Sequence, residues 1–321
     1  MARIIESVLG HENEISKLFR LKNAGRWPHA IMFVGPSGIG KMKLALAFAQ
    51  ALVCEQASDA CGVCGACLRI EKKQSESLTI LMPDPELMRP VIKVEKIRHL
   101  LDSLSLASIG PARVVIIDQA QTLNAQASNA LLKTLEEPTP NVFFILIAND
   151  IYQFLPTIRS RTQVVRFASL TNEQIKKIKP NLPDWIYISS RGQMDRLQLL
   201  ASADGIDKRE EALSFFEQFC QNENFLMDKT WRDLVKDRSW ALYSINCWLQ
   251  MVRDAVILKT ESQKFILNRD QTERLKELYK LSVNKLLWLC HKLILTEKEI
   301  NSNADTALVF EDLWIQYARV D

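Results

Sequence analysis

The feature that most constrains this chain is a glycine-rich turn between an apolar strand pattern and an apolar helical pattern. Residues 30–34 (AIMFV) predict a buried strand, residues 35–41 read GPSGIGK, and the helical pattern continues to about Val53. This order is typical of a phosphate-binding loop, G-x-x-x-x-G-K-[ST], in which backbone N–H groups and the helix N-terminus attract phosphate. The candidate phosphate-binding residues are Gly35, Gly38, Gly40 and Lys41.

Two residues depart from what such a loop needs to hydrolyse ATP. Met42 stands where Ser or Thr would hold Mg²⁺. Residues 113–118 (RVVIID) predict a buried strand that ends in Asp118, an acid suited to orient a Mg²⁺ shell, but the next residue is Gln119. An active ATPase usually has Glu there, and an amide is not a general base. The sequence predicts no hydrolysis, and leaves open whether the loop is empty or binds nucleotide without turnover.

Further apolar runs in the first half alternate with helical patterns. Strands are predicted at residues 78–81, 141–148 and 163–167, and helices at residues 12–22, 94–106 and 122–137. Continuously apolar strands that alternate with helices predict an α/β fold with a parallel sheet covered on both faces. Ligands of such sheets bind at the carboxyl ends of the strands, where the loop and Asp118 both lie.

Length and charge limit the remaining classes. With 321 residues the chain is long enough for two or three domains, and a net charge of +3 is too small to indicate nucleic-acid binding by itself. No apolar run reaches membrane-spanning length, and residues 1–6 lead into a charged stretch rather than a signal peptide. We therefore expect a cytoplasmic protein without membrane contacts, in which disulfides are disfavoured.

Four of the seven cysteines form the pattern C-x₆-C-x₂-C-x₂-C, which is typical of a metal site. They are Cys54, Cys61, Cys64 and Cys67. Four thiolates at this spacing can surround a tetrahedral Zn²⁺ and leave no position open for substrate, which predicts structural zinc. Two alternatives stay open, an iron–sulfur cluster and four unrelated thiols, although thiols exposed in a loop would invite oxidation.

Several segments, taken together with the loop, resemble one protein family. They are the four-cysteine insertion and residues 25–30 (GRWPHA), 92–98 (IKVEKIR), 114–120 (VVIIDQA), 129–138 (NALLKTLEEP) and 155–161 (LPTIRSR). These motifs, within about residues 10–200, resemble the AAA+ clamp-loader subunits of bacterial replicative DNA polymerase III. Because motor subunits of that family keep the loop Ser or Thr and the acidic Glu, the resemblance implies a non-hydrolysing, stationary subunit of the polymerase holoenzyme.

The resemblance also implies an architecture and a set of partners. It implies an AAA+ domain at residues 1–168 with the zinc module at 54–67, a small helical lid at 169–205 and an all-α collar domain for oligomerisation at 206–321. The implied partners are delta and gamma/tau subunits in a hetero-pentamer. Through that complex the chain would act on the sliding clamp and on primer–template DNA.

In the resembled family a Ser-Arg-Cys motif places an arginine at the subunit boundary, where it contacts ATP bound by the neighbour. Here the motif reads Ser160-Arg161-Thr162, so the resemblance implies that Arg161 is an arginine finger acting in trans; a surface ion pair is the alternative. Arg159 stands close enough to assist. Asn149 and Arg196 fall near the family's first and second sensor positions, and either is also explicable as purely structural.

The second half offers mainly helical patterns. Residues 171–200 contain short helical patterns broken by Pro180 and Pro183, residues 204–207 (DGID) predict a linker, and helices follow to the end. Three isolated cysteines on these helices are expected to be core residues: Cys220, Cys247 and Cys290.

Other readings of the whole chain stay open. Three basic residues at the start of a predicted helix, Lys93, Lys96 and Arg98, either face a DNA phosphate or form a solvated helix face. The alternative functions are an ATP-hydrolysing motor subunit of the gamma/tau type and a standalone zinc-dependent DNA-binding module.

Overall fold

The computed structural model describes residues 3–84, 90–104, 110–221, 225–228, 230–260 and 263–320. The chain forms two compact units. The first comprises Met1–Pro180 with Arg191–Arg196, and the second comprises Asn181–Ser190 with Leu197–Asp321. The predicted division into domains at residues 1–168, 169–205 and 206–321 remains a prediction.

The strands of the first unit are β1 (Ala30–Val34), β2 (Leu78–Leu81), β3 (Arg113–Ile117), β4 (Val142–Ala148) and β5 (Gln163–Arg166). The α-helices of the described residues are α1 (Glu12–Asn23), α2 (Lys41–Val53), α3 (Gly65–Glu71), α4 (Val94–Leu104), α5 (Ala125–Glu136), α6 (Pro156–Arg159), α7 (Asn172–Ile178), α8 (Asp184–Ser189), α9 (Met194–Ala201), α10 (Ala203–Gln221), α11 (Thr230–Lys236), α12 (Arg238–Leu258), α13 (Thr272–Tyr279), α14 (Val283–Asn301) and α15 (Thr306–Tyr317).

The five strands form one parallel sheet in the order β2-β3-β4-β1-β5. Its two faces carry separate cores, because alternate residues of a strand point to opposite sides. Met32 of β1 packs with helices α4 and α5, whereas Ile31 and Phe33 pack with α1 and α2. Burial on both faces explains why β1, β3 and β4 read as continuous apolar runs. The parallel sheet and the helical second unit confirm the predicted α/β module followed by an all-α region.

Most predicted elements of the first unit are present, with differences at their ends. Helix α5 begins at Ala125 rather than at residue 122, because the Asn124 side chain accepts a hydrogen bond from the Ala127 N–H and caps the helix. Helix α4 is described to Leu104, and the remainder of the predicted helix, residues 105–106, lies outside the described residues. Helix α3, within the cysteine segment, was not predicted.

The predicted linker at residues 204–207 is wrong, because these residues lie in the first turns of α10. Gly205 is required there by close packing rather than by a turn. A Cβ on Gly205 would lie 1.9 Å from the Leu199 carbonyl oxygen, so only glycine permits α9 and α10 to approach this closely.

The second unit is built on aromatic residues at helical spacing. Trp248 is fully buried and packs against Phe215, Phe216 and Phe219 at ring-centroid distances of 4.9–5.2 Å. The three isolated cysteines are half-buried against this core, as predicted. In the part of the chain that the structure describes, no helix is long and apolar enough to cross a membrane.

Candidate functional site

The glycine-rich loop lies between β1 and α2, and its lysine is turned onto the loop itself. Gly38 and Gly40 have φ values of +66° and +95°, a conformation that favours glycine. Lys41 is only 7% exposed, and its Nζ donates hydrogen bonds to the carbonyl oxygens of Gly35 and Pro36, both at 2.5 Å. The loop therefore has the predicted shape, and its cation already has hydrogen-bond acceptors within the loop.

Burial lowers the pKa of the Lys41 amine to about 8, while the carboxylates of Asp118 and Asp195 oppose this fall. Asp118 follows the carboxyl end of β3, so the structure brings it to the electrostatic environment of the loop as predicted. Asp195 was not predicted at this site. The resemblance pointed instead to its neighbour Arg196, as the candidate second sensor.

Neither of the two altered residues supplies the group that hydrolysis needs. Met42 packs, partly buried, against the core formed by α1, α2 and the sheet, and its thioether is a poor ligand for Mg²⁺. Gln119 is exposed at a φ of +48°, and its N–H donates to Asp118 Oδ1 at 2.9 Å. The carboxylate of Asp118 is thus held by the backbone next to an amide side chain that is not a base.

The segment that precedes and opens α9 lies directly against the loop. The Met194 N–H donates to the Gly38 carbonyl oxygen at 2.7 Å. A Cβ placed on Gly38 would lie 1.7 Å from Asp195 Oδ1, so the carboxylate of Asp195 contacts the backbone of Gly38. The Arg196 N–H donates to the same Oδ1 at 2.7 Å, which fixes the carboxylate in this orientation.

The predicted arginine finger, Arg161, lies in the turn between α6 and β5. Its guanidinium forms an ion pair with Glu136 at 2.5 Å and donates to the Thr157 carbonyl oxygen at 3.0 Å and to Ser160 Oγ at 3.2 Å. The Arg161 side chain is 34% exposed and that of Glu136 is 46% exposed. An ion pair this accessible is worth at most about 1 kcal/mol, so the guanidinium is held loosely enough to change partner.

A wide surface cleft of about 680 Å³ surrounds Arg161. Three segments that carry the family resemblance line it: the start of β1 with Pro28 and His29, the end of α5 with Glu136, and the turn with Ser160 and Arg161. His29 Nε2 lies 2.8 Å from the Leu135 carbonyl oxygen, which ties two of these segments together. Glu136 was part of a recognised motif, but its pairing with Arg161 was not foreseen.

The other candidates lie nearby in the chain with less distinctive surroundings. Arg159 is half-buried, with its guanidinium 5.8 Å from the centre of the Tyr152 ring. Asn149 is exposed immediately after β4. Lys96 is exposed on α4, and its Nζ donates to the Met82 carbonyl oxygen at 3.4 Å. The predicted contact of this residue with DNA remains a prediction.

The four clustered cysteines converge as a metal site requires. Their Sγ atoms all lie within 4.8 Å of one another, and Cys61 Sγ lies 3.9 Å from Cys67 Sγ. Zn–S bonds of about 2.3 Å place the sulfurs of a tetrahedral site about 3.8 Å apart, so zinc fits with little adjustment. The fourth member of the set is Cys54, whose Sγ accepts a hydrogen bond from the Cys61 N–H at 3.3 Å.

The environment of the sulfurs also favours a bound cation. Backbone N–H groups of Val63 and Cys64 lower the pKa of the Cys61 thiol to about 6. Burial raises the pKa of the Cys67 thiol to about 12, so this sulfur would not ionise without a cation beside it. A coordinated metal deprotonates such a thiol outright. The cluster has the donor set and the spacing of a structural zinc site.

A family model described as DNA polymerase III, delta subunit, matches residues 10–171. The chain belongs to this family. The matched region includes the loop, the cysteine cluster and the cleft around Arg161. The family assignment confirms the resemblance to clamp-loader subunits that the motifs predicted.

Curated relatives support the same assignment. DNA polymerase III subunit delta' of Pseudomonas aeruginosa is 38% identical over 136 residues, covering 41% of each chain. The delta' subunit of Bacillus subtilis is 24% identical over 263 residues, covering 78% of this chain and 79% of that one. Subunit tau of Escherichia coli is 35% identical over 214 residues, covering 66% of this chain and 32% of tau. The matches thus span less than half of the Pseudomonas and Escherichia relatives.

Among solved structures, a DNA polymerase III gamma subunit-related protein from Thermotoga maritima aligns with a TM-score of 0.49 at 16% identity, over 94% of this chain and 98% of that one. The Holliday junction branch migration motor RuvB from the same organism aligns with a TM-score of 0.41 at 17% identity, over 67% of each chain.

Proposed function

We propose that this chain is the non-hydrolysing, delta-prime-type subunit of a DNA polymerase III clamp loader, and that it supplies Arg161 to ATP bound by a neighbouring subunit. The observation that carries the proposal is the position of Arg161. Its cleft lies at the amino ends of β1 and β5, whereas the chain's own phosphate loop follows the carboxyl end of β1. The five residues of β1 span about 16 Å, which exceeds the reach of a guanidinium, so Arg161 does not reach a ligand of this loop and its own ligand would come from outside the chain.

The chemistry of an arginine finger fits the contacts that Arg161 makes. Its partners are one half-exposed carboxylate and two neutral oxygens, and a triphosphate offers more negative charge than these together. Guanidinium donors match phosphate oxygens bidentately and stabilise charge on the phosphoryl group being transferred. ATP bound by the neighbour would therefore draw Arg161 away from Glu136 and close the subunit boundary.

The chain's own phosphate loop contributes no hydrolysis in this proposal. Met42 packs into the core and supplies no oxygen for Mg²⁺, and Gln119 is not a base. A subunit without turnover undergoes no conformational change driven by its own ATP hydrolysis, which suits the stationary role.

The zinc site has a structural role in the proposal. Cys54, Cys61, Cys64 and Cys67 would hold one Zn²⁺ with no position left for water or substrate. The segment they close packs on α1 and α2 through a small core of Ala51, Ala60 and Cys67 with Phe19. The metal would fix this segment on the surface of the AAA+ module.

The proposed partners are the delta and gamma/tau subunits in a hetero-pentamer, with the sliding clamp and primer–template DNA reached through the complex. An exposed apolar stripe on α14 supports a subunit interface in the helical region. Val283, Leu287 and Ile294 are 45%, 52% and 43% exposed, and their spacings of four and seven residues place them on one side of the helix. Such a stripe suits a helix from another subunit.

The test is the DNA-stimulated ATPase of a loader reconstituted with Arg161→Ala. We expect a loss of at least about tenfold in ATPase rate with assembly unchanged, because arginine fingers contribute large factors to phosphoryl transfer. Arg161→Lys should recover little, since an ammonium lacks the planar fork. An unchanged ATPase rate in the assembled Arg161→Ala loader would contradict the proposal.

Glu136→Gln is the matched control. It breaks the same ion pair but leaves the guanidinium in place, so we expect it to change the ATPase rate by less than about fivefold. If Glu136→Gln and Arg161→Ala lower the rate equally, the ion pair itself matters and the finger assignment fails.

A motor subunit is the second candidate, favoured by the 35% identity to subunit tau over 214 residues. The purified chain separates the two functions. The delta-prime-type proposal expects no Mg²⁺-dependent ATP turnover, and robust turnover that is lost in Lys41→Ala would establish the motor function instead.

A further inference from the structure

The carboxylate of Asp195 lies against the phosphate loop, where no sequence pattern placed it. We infer that Asp195 closes this loop to nucleotides by holding a fixed negative charge against the backbone of Gly38. The inference deepens the proposed function and rests on it for its biological meaning, because it explains how a non-hydrolysing subunit keeps its loop free of nucleotide.

Contact geometry is the first argument. A Cβ on Gly38 would lie 1.7, 2.2 and 2.6 Å from Oδ1, Cγ and Oδ2 of Asp195, so the carboxylate occupies the place that a side chain on this residue would take. Gly38 is the central glycine of the G-x-x-x-x-G-K turn, whose backbone N–H groups hold phosphate in nucleotide-binding proteins. A phosphate at this turn would therefore meet a carboxylate at close range.

Charge is the second argument. The loop has one cation, Lys41, and the carboxylates of both Asp195 and Asp118 already stabilise its ammonium form. Nζ of Lys41 points to the carbonyl oxygens of Gly35 and Pro36. An incoming phosphate would have to compete for Lys41 and would be repelled by two carboxylates, and like charges brought together cost several kcal/mol.

The backbone holds Asp195 in place, which is the third argument. The Met194 N–H donates to the Gly38 carbonyl oxygen at 2.7 Å, and the Leu170 N–H donates to the Gly192 carbonyl oxygen at 3.2 Å. Gly192 has a φ of +80°, and a Cβ there would lie 2.5 Å from the Leu170 carbonyl oxygen, so the turn before α9 is tightly packed. These backbone hydrogen bonds and contacts hold the main chain next to Asp195 in place, so the position of its carboxylate does not depend on side-chain torsions alone.

The test is Asp195→Asn, which removes the charge and keeps the size of the side chain and an oxygen for the Arg196 N–H. Binding of a fluorescent ADP analogue, and of ATP in competition with it, is measured on the purified full chain. We expect the wild-type chain to bind weakly, and Asp195→Asn to bind at least about tenfold more tightly, a gain of about 1.4 kcal/mol.

Two control variants identify the site of any gain. Glu173→Gln removes the same charge from an exposed position on α7 and should leave affinity unchanged. Lys41→Ala combined with Asp195→Asn should abolish the gain, because the ligand then lacks the loop's cation. Asp195→Ser is the second variant should Asp195→Asn fail to fold, and thermal unfolding checks both.

The outcomes separate this inference from the proposed function. Micromolar nucleotide binding by the wild-type chain without hydrolysis overturns the inference and leaves the non-hydrolysing role standing. Equal affinity in the wild-type chain and in folded Asp195→Asn and Asp195→Ser also overturns it. A gain in binding without turnover supports the inference, since Met42 and Gln119 remain, whereas wild-type turnover would refute the proposed function instead.

Discussion

Replacement of Cys64 by serine would separate the proposed metal-binding role of this residue from its helix-capping role. Cys64 Sγ accepts the Cys67 N–H at 3.5 Å and caps α3, and a serine hydroxyl can make the same capping contact. Cys64→Ser therefore removes one thiolate from the proposed zinc site while the start of α3 is retained. The loss of stability caused by the substitution should therefore measure the contribution of the metal, because the helix cap is retained.

The expected loss of stability follows from the size of the loop that the proposed metal would close. Residues 54–67 have a small core of their own, in which Ala60 and Cys67 pack on Ala51 of α2. Cross-linking a loop of about 15 residues contributes roughly 3 kcal/mol by restricting the unfolded chain. Because apolar burial offers little compensation, we expect Cys64→Ser to lower the free energy of unfolding of the first unit by about 3 kcal/mol.

Two measurements on freshly purified protein test this expectation. Elemental analysis should give about one zinc per chain for the wild type and much less for Cys64→Ser, and urea denaturation followed by circular dichroism gives the free energies of unfolding. Cys290→Ser is the matched control, because it removes a half-buried thiol on α14 that is remote from the cluster in sequence and belongs to the second unit.

Specific results would refute this reasoning. Wild-type protein without zinc would rule out the site, and visible absorption together with bound iron would establish an iron–sulfur cluster in its place. If Cys64→Ser loses zinc but unfolds at the wild-type urea concentration, then the metal does not stabilise the segment and its role must be sought elsewhere.

Two further predictions concern the buried lysine and the helical region. Because burial lowers the Lys41 pKa from 10.5 to about 8, the folded chain binds fewer protons than the unfolded chain between these values, and its stability should rise with pH in this window. Relative to Lys41→Met, the rise in the free energy of unfolding across this window should reach about 3 kcal/mol. NMR of ¹³C-methylated lysines gives the pKa of Lys41. An amine that titrates near 10.5 would contradict the argument that burial lowers this pKa. Leu287→Glu should weaken co-purification with partner subunits without lowering the thermal stability of the isolated chain. Leu308→Glu is the control, because Leu308 is 66% exposed but lies outside the α14 stripe, and it should leave co-purification unchanged. Equal assembly of both variants would count against the interface.

The sheet and the loop could be predicted from sequence because their signals are local. The strands β1, β3 and β4 are buried on both faces and therefore read as apolar runs, and the turn before Lys41 needs glycines at fixed positions. The four cysteines were recognisable by spacing alone. Helix α3 was not, since its cap is Cys64 rather than one of the oxygen side chains that usually mark a helix start.

Contacts between distant segments could not be predicted in this way. Along the sequence, most of the first unit lies between Gly38 and Asp195, although the two residues are in contact in the fold. No periodicity relates a carboxylate at the start of α9 to a glycine before α2. The same holds for the ion pair between Glu136 and Arg161. The linker predicted at residues 204–207 was wrong because the local composition is typical of a turn. Gly205 lies within α10 and instead permits close helix packing.

Retention of Lys41 needs a physical reason if the loop binds no phosphate. A buried ammonium is costly, and a chain under no constraint could replace it with an apolar residue. Lys41 donates to the carbonyl oxygens of Gly35 and Pro36, two backbone acceptors at the turn that would otherwise lose these hydrogen bonds. With Asp118 and Asp195 compensating its charge, the lysine ties two carbonyl oxygens of the turn together without a bound phosphate. The loop can therefore join β1 and α2 in the observed geometry without a nucleotide, so a chain without ATP turnover, as we propose, would keep the fold that presents Arg161.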